Sequence, residues 1–226
     1  MARALSTRSA GLIRQKLIRW GRRNYQPFQW RKPRHKWHGL VAEILLQRTR
    51  APNVAPVYEA FVKRFPRPDS LANASEAEIL RIIRPLGLAW RAALLKQLGV
   101  VLAATGKVPS EIDKLIKLPG VGHYVAAAYA SFHEAGRGVI IDANVVRFLS
   151  RLTGNPFDGE TRRKRWLYDL ADSLTPSAGA GRYNYAVLDF TMGVCTPRSP
   201  RCEVCPLGAE FCAYGSLRLK RNQRSG

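Results

Sequence analysis

Acidic residues are scarce in this chain of 226: 16 Asp and Glu stand against 37 Lys and Arg, a formal charge of +21. Residues 1–50 hold thirteen basic side chains and a single acid, Glu43. So one-sided a charge suits a polyanionic partner, nucleic acid first among them. Long apolar runs are also missing. No stretch is long enough to span a bilayer and the N-terminus has no apolar signal core, so no membrane partner is expected. Residues 1–11 are basic, serine-bearing and free of acids. They are expected to form a disordered basic arm in a cytoplasmic, nucleoid-associated protein, with organellar targeting left open by the same composition. Cysteine is absent before position 195, and in a reducing compartment clustered thiols point to metal rather than to pairing. Segments that alternate with period two are nearly lacking, as are repeats and low-complexity linkers. This predicts an all-α chain, and 46% hydrophobic residues exclude disorder of the whole.

The apolar spacing predicts helices over 12–20, 39–50, 52–65, 89–105, 112–118, 125–132, 143–152, 160–174 and 182–192. Another, capped by Ser75 with Glu78, runs to Arg84. Pro66 and Pro68 are read as ending the third of these, Pro27 and Pro33 as breakers, and Gly106 as closing the helix over 89–105. One run stands out: Leu118-Pro119-Gly120-Val121-Gly122-His123-Tyr124. Ser110 and Asp113 cap the helix before it, Pro119 ends that helix, and Gly120 and Gly122 are free to take positive φ. Backbone amides presented at the start of the next helix bind phosphate without reading a base. Some twenty residues on comes Ile140-Ile141-Asp142-Ala143-Asn144, whose carboxylate either caps the following helix or performs chemistry. All four cysteines follow as Cys195-x6-Cys202-x2-Cys205-x6-Cys212. Four thiols this close are a metal signature; with one C-x-x-C instead of two, a structural zinc is the weaker reading and free thiols the weakest.

These motifs, in this order, resemble the helix-hairpin-helix DNA glycosylases of the endonuclease III superfamily. The resemblance runs from about Leu12 to Tyr214. It implies an all-α, two-domain fold: a six-helix domain over 26–136, and a discontinuous domain over 1–25 and 137–226 that ends in an iron–sulfur loop at 195–212. DNA would lie across the cleft between them, with Asp142 at its mouth. Cys195, Cys202, Cys205 and Cys212 would bind a [4Fe–4S] cluster, although the last gap is one residue longer than the family's usual C-x6-C-x2-C-x5-C. Arg198 and Arg201 in that loop would reach phosphates. The partner would be double-stranded DNA with a mismatched or deaminated base, bound by a monomer.

The same resemblance assigns the site. Glu43, in Val41-Ala42-Glu43-Ile44-Leu45-Leu46-Gln47-Arg48-Thr49, is a candidate acid/base group, and Asp142 faces the sugar cation and the attacking water. Gln47 and Arg48 fill the gap left by the flipped nucleotide. Leu118, Gly120, Val121, Gly122 and Tyr185 contact DNA; Trp37, Trp90 and Tyr185 either line the pocket or, as is commoner for tryptophans in an α-protein, pack in the core. Tyr124 stands where strand-cleaving members have the lysine that forms a Schiff base. Tyrosine here is characteristic of G·T mismatch thymine glycosylases, whereas adenine glycosylases commonly have serine. The expected activity is therefore monofunctional hydrolysis of thymine or uracil opposite guanine. Two rivals stand beside it. One is an adenine glycosylase, against which count Tyr124, the run Leu86-Gly87-Leu88-Ala89-Trp90 in place of Leu-Gly-Tyr-Tyr, and the fourteen residues after Cys212 where that branch usually adds a domain. The other is a catalytically inert DNA-binding protein, against which counts the retention of both carboxylates.

Overall fold

The computed structural model describes residues 5–32, 35–87 and 89–223, the side chains of 221–223 excepted. Among these residues every regular element is a helix and none is a strand, as the missing period-two alternation predicts. The chain divides into two units, Met1–Gln26 with Ala135–Gly226, and Pro27–Glu134.

The first helix, α1 (Thr7–Asn24), starts at Ser6, whose hydroxyl accepts the amide of Ser9. Residues 7–11, expected to belong to a disordered arm, are thus helical, and residues 1–4 of that arm lie outside the described residues. The correction has a cause: a serine cap ahead of Ala10, Ile13 and Leu17 starts the buried stripe earlier than the apolar run suggested. Seven helices of the second unit follow. They are α2 (Lys36–Leu45), α3 (Ala51–Arg64), α4 (Pro68–Ala72), α5 (Glu76–Ile83), α6 (Arg91–Thr105), α7 (Ile112–Leu115) and α8 (His123–His133). Pro68 does not merely end α3; it opens α4 at a position where a proline loses no helical hydrogen bond. Gly106 closes α6 at φ +70°, as expected. Pro33 and Leu88 lie outside the described residues. The core is built on Leu40, Leu45, Phe61, Phe65, Leu71, Leu98 and Tyr129, each buried side chain contributing roughly 1.5–3 kcal/mol. α2 is buried on all sides from Trp37 to Leu45, which marks it as the centre of this unit.

The chain then returns to the unit of α1 with α9 (Ala143–Thr153), α10 (Arg165–Leu174), α11 (Ala180–Gly193), α12 (Gly208–Phe211) and α13 (Ala213–Gln223). The predicted 160–174 helix opens with a separate 3-10 turn at Thr161–Arg163 before α10 begins at Arg165, and neither α12 nor α13 was anticipated. α1 packs along α11 so closely that a Cβ at Gly21 would sit 2.6 Å from the Ala186 methyl. Ile13 and Leu17 meet Phe148, Leu149, Leu167, Leu174 and Phe190 in the second core.

Candidate active site

The chain turns at Gly120, with φ +75°, a conformation in which a side chain would be strained. Gly122, expected to share that freedom, instead adopts φ −92° as N-cap of α8. Ser110 does not cap the preceding helix; Glu111 holds the N-cap position of α7, and the amide and hydroxyl of Ser110 both donate to its carboxylate. That carboxylate is held down to about 2, first by its hydrogen bond with Lys114. The Val121 side chain is buried in the core, which leaves only its backbone for a DNA contact. Leu118 is half-buried, Gly122 and His123 are exposed, and the first amides of α8 carry the positive end of its dipole.

Two residues read as filling the DNA gap are tied to this turn. The Gln47 side-chain amide donates to the Gly120 carbonyl at 2.9 Å. Arg48 is exposed and sits at φ +55°, outside the usual range for a residue with a Cβ. A residue missed in the sequence holds them there. Arg91, 2% exposed, donates to the Leu45 carbonyl at 3.1 Å and to the Gln47 carbonyl. It meets the carbonyls left open where α2 ends. Burial first, and the Arg48 charge second, work against its own charge. Trp37 is core, with its indole on the Phe65 carbonyl at 3.0 Å, so it lines no pocket. Trp90 is half exposed beside the Arg91 guanidinium.

Glu43 lies on the buried α2, not on an open helix face. Its Oε1 is 3.0 Å from Nε2 of His133 at the end of α8. Tyr124 occupies the first turn of α8, half-buried against the core of this unit.

Asp142 caps α9: Oδ1 accepts the Val145 amide at 2.7 Å, and Oδ2 accepts Nδ2 of Asn144 at 3.0 Å. The capping reading of this residue therefore holds, and both of its oxygens are held in place. The hydrogen bonds continue. Asn144 Oδ1 accepts from Arg147 at 2.9 Å, and the buried Arg147 donates in turn to the carbonyls of Thr191 and Cys195. Asp142 is thus joined to the first cysteine through two side chains that the sequence reading passed over. The signal was there, in polar residues at the second and fifth positions after the cap in a mostly apolar helix. Tyr185 is half-buried on α11.

The four cysteines line one cavity of about 390 Å3, its open mouth included, with Phe148, Phe190 and Leu207 as its apolar wall. Burial pushes the thiols of Cys202, Cys205 and Cys212 up, Cys212 to about 11, so thiolates here require a cation beside them. Among the described residues no three such ligands converge tightly enough for one ion. Four thiols lining one cavity with an apolar wall are a donor set that fits an iron–sulfur cluster. Arg151 pins the loop through the carbonyls of Thr196 and Pro197, and lies 3.5 Å from the Cys195 sulfur. The Gly215 amide meets the Cys212 sulfur at 3.4 Å, so the longer last gap still brings Cys212 to the cavity. Arg198 is exposed, but the Arg201 guanidinium is already taken by the Gly193 carbonyl.

Comparison with known proteins agrees with this geometry. Residues 41–168 match the model of the HhH-GPD superfamily of base excision DNA repair proteins, and 195–212 match the iron-sulfur binding domain of endonuclease III. A thymine/uracil-DNA glycosylase of Pyrobaculum aerophilum is 37% identical over 89% of this chain and 91% of its own. An adenine DNA glycosylase of Mycobacterium tuberculosis is 35% identical over 88% of this chain and 66% of its own. The structure of a thermostable thymine-DNA glycosylase superposes with a TM-score of 0.85 at 29% identity, covering 93% of this chain and 98% of that one. Fold and site together define a DNA N-glycosylase of base excision repair with a [4Fe–4S] cluster. The chain belongs to the HhH-GPD superfamily of base excision DNA repair proteins.

Proposed function

We propose that this glycosylase hydrolyses the N-glycosidic bond of thymine or uracil mispaired with guanine, and that it leaves the abasic strand intact. Tyr124 carries the reading. A phenol cannot form the imine through which a lysine would capture the sugar, so water must add to the anomeric carbon as the base leaves with the bonding pair. Asp142 is assigned to the cationic sugar and the incoming water, and its two fixed oxygens suit electrostatic stabilisation that needs no reorganisation. Glu43 is assigned to the departing base or the water, Gln47 and Arg48 to the gap left by the flipped nucleotide, and the hairpin amides to phosphate. Flipping costs less at a mismatch, which itself aids selection. Cys195, Cys202, Cys205 and Cys212 would hold the cluster, which supplies structure and a DNA-binding loop rather than chemistry on the base. We take the protein to bind duplex DNA as a monomer.

The thymine/uracil relatives support the substrate assignment, since the similarity spans about nine-tenths of both chains. An adenine substrate is the second reading, favoured by the 35% identity to the mycobacterial enzyme. Duplexes that differ in one base pair separate the two. G·T and G·U strands are expected to break only after alkali, and borohydride is expected to trap no adduct. Faster loss of adenine from A·G assigns the second reading, and an adduct overturns hydrolysis.

A further inference from the structure

Ninety positions separate Glu43 from His133, yet the two form a closed pair. Glu43 is 3% exposed, the His133 side chain 1%, and Oε1 lies 3.0 Å from Nε2. The other ring nitrogen, Nδ1, is buried with no hydrogen-bond partner among the described residues. A buried N–H without an acceptor is costlier than an unused lone pair. The favoured tautomer therefore leaves Nδ1 bare, carries its proton on Nε2 and donates it to the carboxylate. The place for the ring is built into α2. Gly39, one turn before Glu43, has no Cβ, and one added there would sit 2.7 Å from both Cγ and Nδ1 of His133. Tyr129 flanks the ring at 5.5 Å. The neighbouring charges are engaged elsewhere: Glu134 accepts the Tyr129 hydroxyl at 2.8 Å and the Lys36 ammonium at 2.6 Å. The Tyr58 hydroxyl is pushed up to about 12, by burial first and by the Glu43 charge second.

We infer that His133 is a positioning residue for base excision: its Nε2–H fixes Oε1 and keeps Glu43 an acceptor that orients water rather than an acid that protonates the base. The inference rests on the role proposed for Glu43 and narrows it. It also bears on the substrate. Thymine and uracil can leave as anions spread over two carbonyls, whereas release of a purine is promoted by protonating the ring. A carboxylate held in the accepting state thus suits a pyrimidine.

The test uses the cluster-loaded protein under single-turnover conditions, on G·T duplex or on A·G if that is the one cleaved, beside duplex affinity and melting temperature. His133→Phe should slow excision by about a hundredfold, the low end of what acid–base groups contribute, with affinity for the duplex unchanged. His133→Gln, whose amide nitrogen takes the place of Nε2, should recover most of the rate. Nitrogen NMR of the wild-type protein should find the His133 ring protonated at Nε2 alone. Glu43→Gln separates the two levels. If it excises at the wild-type rate, the role of Glu43 falls and this inference with it. If it is inactive while His133→Phe keeps the wild-type rate, only the inference falls. A ring protonated at Nδ1, or a folded His133→Gln as slow as the phenylalanine variant, also overturns it.

Discussion

Asp142 combines an observed cap with a proposed catalytic charge, and a one-atom change can pull the two apart. As a cap it accepts the Val145 amide at 2.7 Å, and asparagine caps as well as aspartate. Asp142→Asn should therefore keep the cap and lose about 1 kcal/mol with the bond that Oδ2 accepts from Asn144, while losing the charge proposed to face the sugar cation. One such electrostatic contact is worth on the order of 3 kcal/mol, a hundredfold or more in single-turnover rate. A rate within a few-fold of wild type would move the role elsewhere, Glu43 first. The residues that were legible in the sequence share one property: their contacts are local. The hairpin glycine, the capping Asp142 and the four cysteines act within short segments, so spacing alone exposes them. Gln47 on Gly120, Arg91 on Leu45 and Glu43 on His133 join positions 73, 46 and 90 apart, and no periodicity reports such a pair.

Among the elements, the turn after α2 is where order is most concentrated on one side chain. Arg91 meets the Leu45 and Gln47 carbonyls from the first turn of α6, and without it the buried Leu45 carbonyl loses this donor while the Gln47 carbonyl keeps only the Thr49 hydroxyl at 3.2 Å. Arg91→Met keeps the apolar stem and removes the fork. It should destabilise the protein by about 1.5–3 kcal/mol, the range for hydrogen bonds to charged groups. It should also weaken binding to abasic duplex, because Gln47 and Arg48 lose their support. Calorimetry and a binding titration check the two halves; a variant that melts like the wild type would show that the turn holds itself. Most helices were readable because a buried stripe recurs every third or fourth residue. Their ends were not. Ser110 looks like a cap but donates to Glu111, and Pro68 looks like a terminator but begins α4. Either role satisfies the local chemistry, and packing decides between them.

For the whole molecule the governing quantity is the charge of +21. Two kinds of group stand ready for phosphate, and salt tells them apart. The hairpin offers backbone amides, whereas α1 offers Arg19, Arg22 and Arg23, all exposed. A cation that neutralises a phosphate releases counterions and contributes about −0.9 to the slope of log K against log salt. Replacing Arg19, Arg22 and Arg23 together with glutamine should therefore flatten the slope by up to about 2.7, three such contacts, and weaken binding most at low salt. Gly120→Ala strains the turn without removing charge; it should lower affinity at every salt concentration and leave the slope where it was. Filter binding of one mismatched duplex across a salt series measures both. If the triple variant keeps the wild-type slope, the arginines of α1 face solvent rather than DNA, and the phosphate contacts must come from basic residues elsewhere on the chain.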